Sequence, residues 1–262
     1  VSGNATDVAA ARHARIVELA RAGGTVSVEA LAQALDVTPQ TIRKDLTLLE
    51  RRSLLARVHG GAVATSGTAN LAYAERRDLA VAAKQEIGAA AADLVPDGAS
   101  LFINIGTTAE AIARHLVERR RLMVITNNLN VVDILAERPG IEVIAAGGRV
   151  RPDDRAVVGS IAMDFIRGFK VDFALIGASA IEPDGDFLDF DVDEVHVSRT
   201  IIRNARNVIL AMDSSKAERA APVRIGSLAD IDWLVTDRAS SRLQEACRFS
   251  QVELIVTRKI AS

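Results

Sequence analysis

Seven short apolar runs punctuate the second part of the chain, at residues 100–105, 122–126, 141–145, 171–176, 208–212, 233–236 and 252–256. Each is separated from the next by far more residues than a hairpin turn needs, and the gaps are long enough for crossover connections between parallel strands. Several gaps carry helical periodicity. Ala109, Ile112, Ala113 and Leu116 fall at i, i+3, i+4 and i+7, and residues 131–136 read the same way. Strands that alternate with helices predict a mainly parallel α/β domain over residues 82–262.

The first 64 residues keep a different rhythm. Val8, Arg12, Ile16 and Leu19 with Ala20 predict a helix over 8–22, stopped by Gly23-Gly24. Ser27 can cap a second helix, with Glu29 in its first turn and Leu31 and Leu35 on one face. Asp36-Val37 form a tight turn. Thr38 caps a third helix and Pro39 takes its first position, where a missing N–H costs nothing. Ile42, Leu46 and Leu49 form its buried stripe. After Ser53 the pattern turns to alternation, with Leu54, Ala56 and Val58 on one side, Leu55, Arg57 and His59 on the other, and Gly60-Gly61 closing it. Three helices and a β-hairpin over residues 8–64 outline a winged helix-turn-helix. The stretch 65–81 opens with small, mostly polar residues and reads as a linker.

A length of 262 residues suits two such domains. The net charge of −2 argues against nucleic acid until its distribution is considered. Residues 1–64 hold eight Lys/Arg against six Asp/Glu, and within 43–57 there are five bases and two acids. A local basic patch on an acidic body fits a protein that touches DNA with one small region. The single cysteine, Cys247, excludes an intrachain disulfide and is too little thiol for a zinc site; it reads as a small buried hydrophobe. His115 and His196 are too isolated to be metal ligands. No apolar run reaches the ~18 residues of a membrane span. Val1-Ser2-Gly3-Asn4 lacks the charged-then-apolar pattern of a secretory signal. The expectation is a cytoplasmic protein with no cofactor and no membrane partner.

On the third helix the buried stripe leaves Gln40, Thr41, Arg43, Lys44 and Thr47 on or beside the outward face. Arg can pair bidentately with guanine, Gln with adenine, and Thr can meet a phosphate or a thymine methyl. Arg51, Arg52, Arg57 and His59 could hold backbone phosphates. The candidate DNA-binding residues are therefore Ser27, Thr38, Gln40, Thr41, Arg43, Lys44, Arg57 and His59, and the expected partner is double-stranded operator DNA. One small reading head buries little DNA surface, so a homodimer or homotetramer is expected.

Polar residues and glycines also cluster where the apolar runs end: Asn104 to Thr108, Thr126 to Asn128, Gly147 to Arg149, Gly177 to Ser179 and Asp213 to Lys216. One such cluster is ordinary turn chemistry. Several at the ends of separate strands mark the edge where open α/β sheets bind ligands. Gly106-Thr107-Thr108 opens a helix and could cradle a phosphate with N–H groups and hydroxyls, with Arg149 or Lys216 as countercharge. Neither a G-x-G-x-x-G nor a G-x-x-x-x-G-K-[ST] motif occurs, so dinucleotide and nucleoside-triphosphate binding lack their motifs.

Val26-Ser27-Val28-Glu29-Ala30-Leu31-Ala32, Val37 to Leu46, and Arg57-Val58-His59-Gly60-Gly61-Ala62 closely resemble the DeoR family of bacterial repressors. Lys44 stands where that family usually has Arg; it keeps the charge but not the two-pronged fork, which favours a phosphate contact. Ala83 stands where the family usually has Glu. The resemblance continues through Leu101 to Ala111, Val124 to Val131 and Leu188 to Val195. It implies a ribose-5-phosphate isomerase-like sensor domain, and a repressor of a carbohydrate or polyol catabolic operon. Release from the operator would come from a phosphorylated sugar or polyol such as glycerol 3-phosphate. With Asp191 and Glu194 from the last segment, the candidate effector-binding residues are Asn104, Gly106, Thr107, Thr108, Asn127, Gly148, Arg149, Asp191, Glu194 and Lys216. A sugar-phosphate isomerase is the rival reading. It would need a general base and a carbonyl-polarising group, nominally Glu194, Asp191 and Lys216. Gly177-Ala178-Ser179-Ala180 occupies the strand end where the isomerase's acidic motif belongs, so no catalytic residue is expected.

Overall fold

The computed structural model describes residues 3–23, 25–51, 55–58, 61–64 and 73–257. The chain divides into two compact units, Val1–Glu75 and Arg76–Ser262.

The first unit holds α1 (Gly3–Gly23), β1 (Thr25–Ser27), α2 (Val28–Ala34), α3 (Pro39–Arg51), β2 (Leu55–Val58) and β3 (Gly61–Ala64). Helix α1 starts five residues before the expected position. Ser27 caps α2 by accepting the Ala30 N–H at 3.1 Å, and Asp36 makes the turn to α3 in the left-handed region at φ 50°. Ile16, Ala20, Leu31, Ile42, Leu46, Leu49 and Leu55 close a small core. Within the alternating stretch, Leu55 is buried in this core. The hairpin is joined by β1 into an antiparallel sheet ordered β1-β3-β2. Three residues are too few to show strand alternation, so the sequence reading has no β1. Its approach explains Gly61: a Cβ there would lie 2.0 Å from the Val26 carbonyl oxygen.

The second unit runs α4 (Tyr73–Asp78, which begins before the division), α5 (Val81–Asp93), β4 (Ser100–Ile103), α6 (Thr107–Leu116), β5 (Leu122–Thr126), α7 (Leu129–Leu135) and β6 (Ile141–Ala145). It continues through β7 (Arg149–Arg151), β8 (Ala156–Val158), α8 (Ser160–Arg167), β9 (Val171–Ile176), β10 (Ala180–Ile181), β11 (Asp186–Asp189), α9 (Val192–Arg203) and β12 (Ala205–Ala211). Last come a 3-10 turn (Ser214–Glu218), β13 (Val223–Ser227), β14 (Trp233–Thr236), α10 (Ser241–Phe249) and β15 (Glu253–Val256).

All seven apolar runs pair into one parallel sheet ordered β15-β14-β12-β9-β4-β5-β6. Its strands read as continuous apolar stretches because both faces are covered. Phe102, Ala174 and Leu210 pack with Ile166 and Ile201 on one face. Leu101, Ile103, Val124, Leu175 and Ile209 pack with Ile87, Ile112 and Leu116 on the other. Helices α5 and α6 approach closely at Gly88, where a Cβ would sit 2.9 Å from the Ala111 carbonyl carbon. The chain winds outward from β4 in one direction and from β9 in the other, so the topological switch point lies between these neighbours.

The sequence reading has no counterpart for the β7–β8 hairpin or the small sheet ordered β10-β11-β13. Their strands are two to five residues long, and β11 pairs with β13 across a long sequence gap, Asp186 opposite Ser227. Helix α4 falls within the stretch read as linker. Among the described residues, no helix is long and apolar enough to cross a membrane.

Candidate functional site

Helix α3 presents two unlike faces. Asp45 lies on the inner one, beside Leu46, and clamps the helix to α1. Its carboxylate accepts from Arg12 Nε at 2.7 Å and Nη2 at 3.1 Å, and lies 2.8 Å from His13 Nε2. Burial alone would raise its pKa, but the bonds to Arg12 and His13 prevail and hold it below the usual carboxylate range. Gln40, Arg43, Lys44, Thr47 and Leu48 line a shallow outer depression of about 320 Å³. Gln40, Arg43 and Lys44 are exposed, and Arg43 comes no nearer than 4.0 Å to Glu29 in an ion pair. Thr38 caps the helix, its Oγ1 accepting from the Thr41 N–H at 3.2 Å and lying 2.9 Å from Thr41 Oγ1. The Ser27 hydroxyl is likewise engaged as a cap. Arg57 is a β2 residue, paired in register with Ala62; its side chain, Arg52 and His59 lie outside the described residues.

The second constellation gathers at the carboxyl edge of the large sheet, around the switch point. Gly106 follows β4 at φ 125°, and space is open where a Cβ would lie. It ends the approach to α6 without a side-chain cap, so the first N–H groups of α6, from Thr107 onward, have no side-chain acceptor there. After β9 come two buried acids, Asp189 at the end of β11 and Glu194 in α9. Asp189 is bonded by the Phe190 N–H at 2.7 Å and by the Ser179 side chain. Glu194 sits in the first turn of α9, which Asp191 caps by accepting the Glu194 N–H at 3.0 Å. Burial, with the neighbouring Asp189 adding repulsion, pushes Glu194 up to about 8 against the pull of Arg151 and Arg76. Burial raises Asp189 as well.

Arg151 on β7 ties these elements together. It donates to both oxygens of Asp154, at 2.9 and 2.6 Å, to Asp191 at 2.9 Å and to Glu194 at 2.8 Å. Arg76, which lies 3.7 Å from Asp154, is also near enough to Lys216 for their like charges to act on each other, as are Lys84 and Arg219. Burial and the like charges of Arg219, Arg76 and Lys84 bring Lys216 down to about 8, against the pull of Asp213. Burial lowers Lys84 in the same way.

Of the residues named from sequence, Gly106, Thr107 and Thr108 lie at the mouth of α6, Glu194 and Asp191 are bonded to Arg151, and Lys216 is on the turn after β12. Arg149 is on the rim, 71% exposed and bonded to Asp193 at 2.9 Å; Arg151, two residues on, reaches the acids instead. Asn104 turns toward α9, donating to Ser198 Oγ at 2.8 Å while its own oxygen takes the Ile105 N–H. Asn127 is covered by β8, donating to the Val157 carbonyl at 3.1 Å, and Gly148 bends at φ 143° against Val157. Arg76, Lys84, Arg151, Asp154 and Asp189 are additions that the fold supplies. His115 and His196 are exposed, and no metal-binding group of side chains occurs among the described residues.

A small basic reading helix joined to a parallel α/β domain with a charged carboxyl edge defines a ligand-responsive DNA-binding regulator. The chain belongs to the DeoR family of transcriptional repressors: residues 12–68 match the DeoR-like helix-turn-helix domain and residues 79–238 the DeoR C terminal sensor domain. It is a regulator and not an enzyme, with a head that binds DNA and a domain that senses a small effector. The glycerol-3-phosphate regulon repressor of Haemophilus influenzae is 43% identical over 86% of this chain and 88% of its own. That of Escherichia coli is 41% identical over 86% and 90%. The HTH-type transcriptional repressor CsqR of Escherichia coli is 37% identical over 95% and 96%. Among solved structures, ribose 5-phosphate isomerase A from Methanocaldococcus jannaschii aligns with 51% of this chain and 52% of its own, at 18% identity and a TM-score of 0.38.

Proposed function

We propose that this repressor controls a carbohydrate or polyol catabolic operon in the cytoplasm and leaves its operator when a phosphorylated metabolite, glycerol 3-phosphate first among them, fills the sensor. The reading head spans 8–64, the connecting segment 65–81 and the sensor 82–262, and the working form is a homodimer or homotetramer. One observation carries the choice of ligand class: like charges crowd together at the switch-point edge. Lys216 is held below its ordinary pKa partly by Arg219, Arg76 and Lys84, a repulsion that a bound anion relieves. The uncapped mouth of α6 offers N–H donors and dipole to the same anion. Asp189, Asp191 and Glu194 supply acceptors for hydroxyl groups. Two relatives bear glycerol-3-phosphate regulon names, which puts that compound first.

Operator binding measured with rising glycerol 3-phosphate, and again with unphosphorylated glycerol, tests this reading. Release by the phosphate ester alone is the expected result. Release by glycerol as well, or by neither, overturns it.

A further inference from the structure

Among the described residues, Arg76 is the charged side chain with a buried polar atom left unbonded; the amide atoms Asn127 Oδ1 and Asn128 Nδ2 after β5 are unbonded as well. Its side chain is 14% exposed, and its nearest acid is Asp154, 3.7 Å from Nη2. Its Nε is buried with no hydrogen-bond partner. A buried guanidinium donor left unpaired is costly, and Arg76 acts electrostatically on Asp189, Glu194 and Lys216 alike.

Its place in the chain is equally unusual. Arg76 lies in α4, the helix that crosses the division between the two compact units. Lys84 of α5 donates its ammonium to the Arg76 carbonyl and, at 2.7 Å, to that of Leu79. Between the two helices Ala80 is held in the left-handed region at φ 52°, a conformation that costs a residue with a Cβ and persists only where its surroundings impose it. The end of α4 is thus a strained joint pinned by a buried lysine, and one side chain from it enters the effector site.

We infer that Arg76 donates its unpaired Nε to the effector's phosphate, and that this bond from the connecting helix is how an occupied site reaches the DNA-binding head. This rests on the proposed function. The ligand shifts the protein between states only through contacts that differ between them, and a contact made by α4 differs whenever α4 moves. Lys216, on the turn after β12, contributes affinity without that leverage.

The test uses the full chain with glycerol 3-phosphate and inorganic phosphate as probes. Calorimetry gives ligand affinity, and operator affinity with and without saturating ligand gives a release ratio for each variant. Losing a charge-assisted hydrogen bond should weaken ligand binding about 10- to 100-fold in both Arg76→Met and Lys216→Met. At saturation the two part: Lys216→Met recovers the wild-type release ratio and Arg76→Met does not. Should Arg76→Met fail to fold by thermal melting, Arg76→Lys carries the test, with weakened binding and a reduced ratio expected. Wild-type affinity in the Arg76 variant, or weakened affinity with a full release ratio, overturns the inference while the proposed function stands. A wild-type chain that binds neither probe overturns both.

Discussion

Replacing Asp45 with Ala should unfasten the reading head. The side chain is only 9% exposed and accepts from Arg12 and His13, themselves 19% and 12% exposed. Removing one partner of a buried ion pair costs about 3–5 kcal/mol, because the other charge is left stranded. Arg12 keeps some access to water, which lowers the expected loss to roughly 2–4 kcal/mol. For a unit with so small a core that is a large share of a total of order 5 kcal/mol. Hydrogen exchange in the full chain reads it locally: the amides of Ile42 and Leu46 should exchange about 30- to 1000-fold faster, while those of β4 and β9 keep their protection. Operator affinity should fall with it, because α3 loses its anchor to α1. Since the bonds hold the Asp45 carboxyl below its ordinary pKa, their stabilisation is complete above the unfolded value near about 3.9 and is lost as pH falls through the lower folded value. Acid should therefore loosen the head of the wild type, and Asp45→Ala should lack that component. Exchange at Ile42 and Leu46 within threefold of wild type at neutral pH would refute the clamp.

Arg43→Ala should weaken operator binding by about 1–3 kcal/mol and relax the base preference at one position, as expected for a contact to a base edge; an equal loss on scrambled DNA would make it a phosphate contact. Affinity for glycerol 3-phosphate should be greatest between about pH 6, where the phosphate becomes a dianion, and pH 8. Above that, Lys216 loses its proton and Glu194 becomes a carboxylate, both near 8, so positive charge leaves the site by two steps and binding should weaken; calorimetry at pH 7 and 9 showing no change would contradict it.

The large sheet was legible because buried parallel strands are nearly uninterrupted apolar runs, and its seven strands need only that signal. The reading head was legible from its caps: Ser27 and Thr38 accept the N–H groups their positions implied. The acids and bases of the sensor were harder. Arg149 and Arg151 are equivalent in sequence, two residues apart on one short strand, and both bond acids at the start of α9; they differ in that Arg149 meets the exposed Asp193 while Arg151 meets the buried Glu194 and Asp154. Arg76 meets Asp154 across 78 residues, and Asn104 meets Ser198 across 94; no local pattern carries such pairings. Asp45 did leave a signal, since it falls three residues after Ile42 and next to Leu46, on the side of α3 that turns inward.

The order of the sheet has a mechanical consequence. Within the sheet, the β4–β6 half and the β9–β15 half are hydrogen-bonded to each other along one strand pair, Leu101 to Ile103 against Phe173 to Leu175. A small molecule gripped from Gly106 on one side and from Glu194 and Lys216 on the other would act as a suture across that seam. Occupancy would then be felt as stiffness through the whole sensor, and a protease would find the filled domain a more resistant substrate than the empty one.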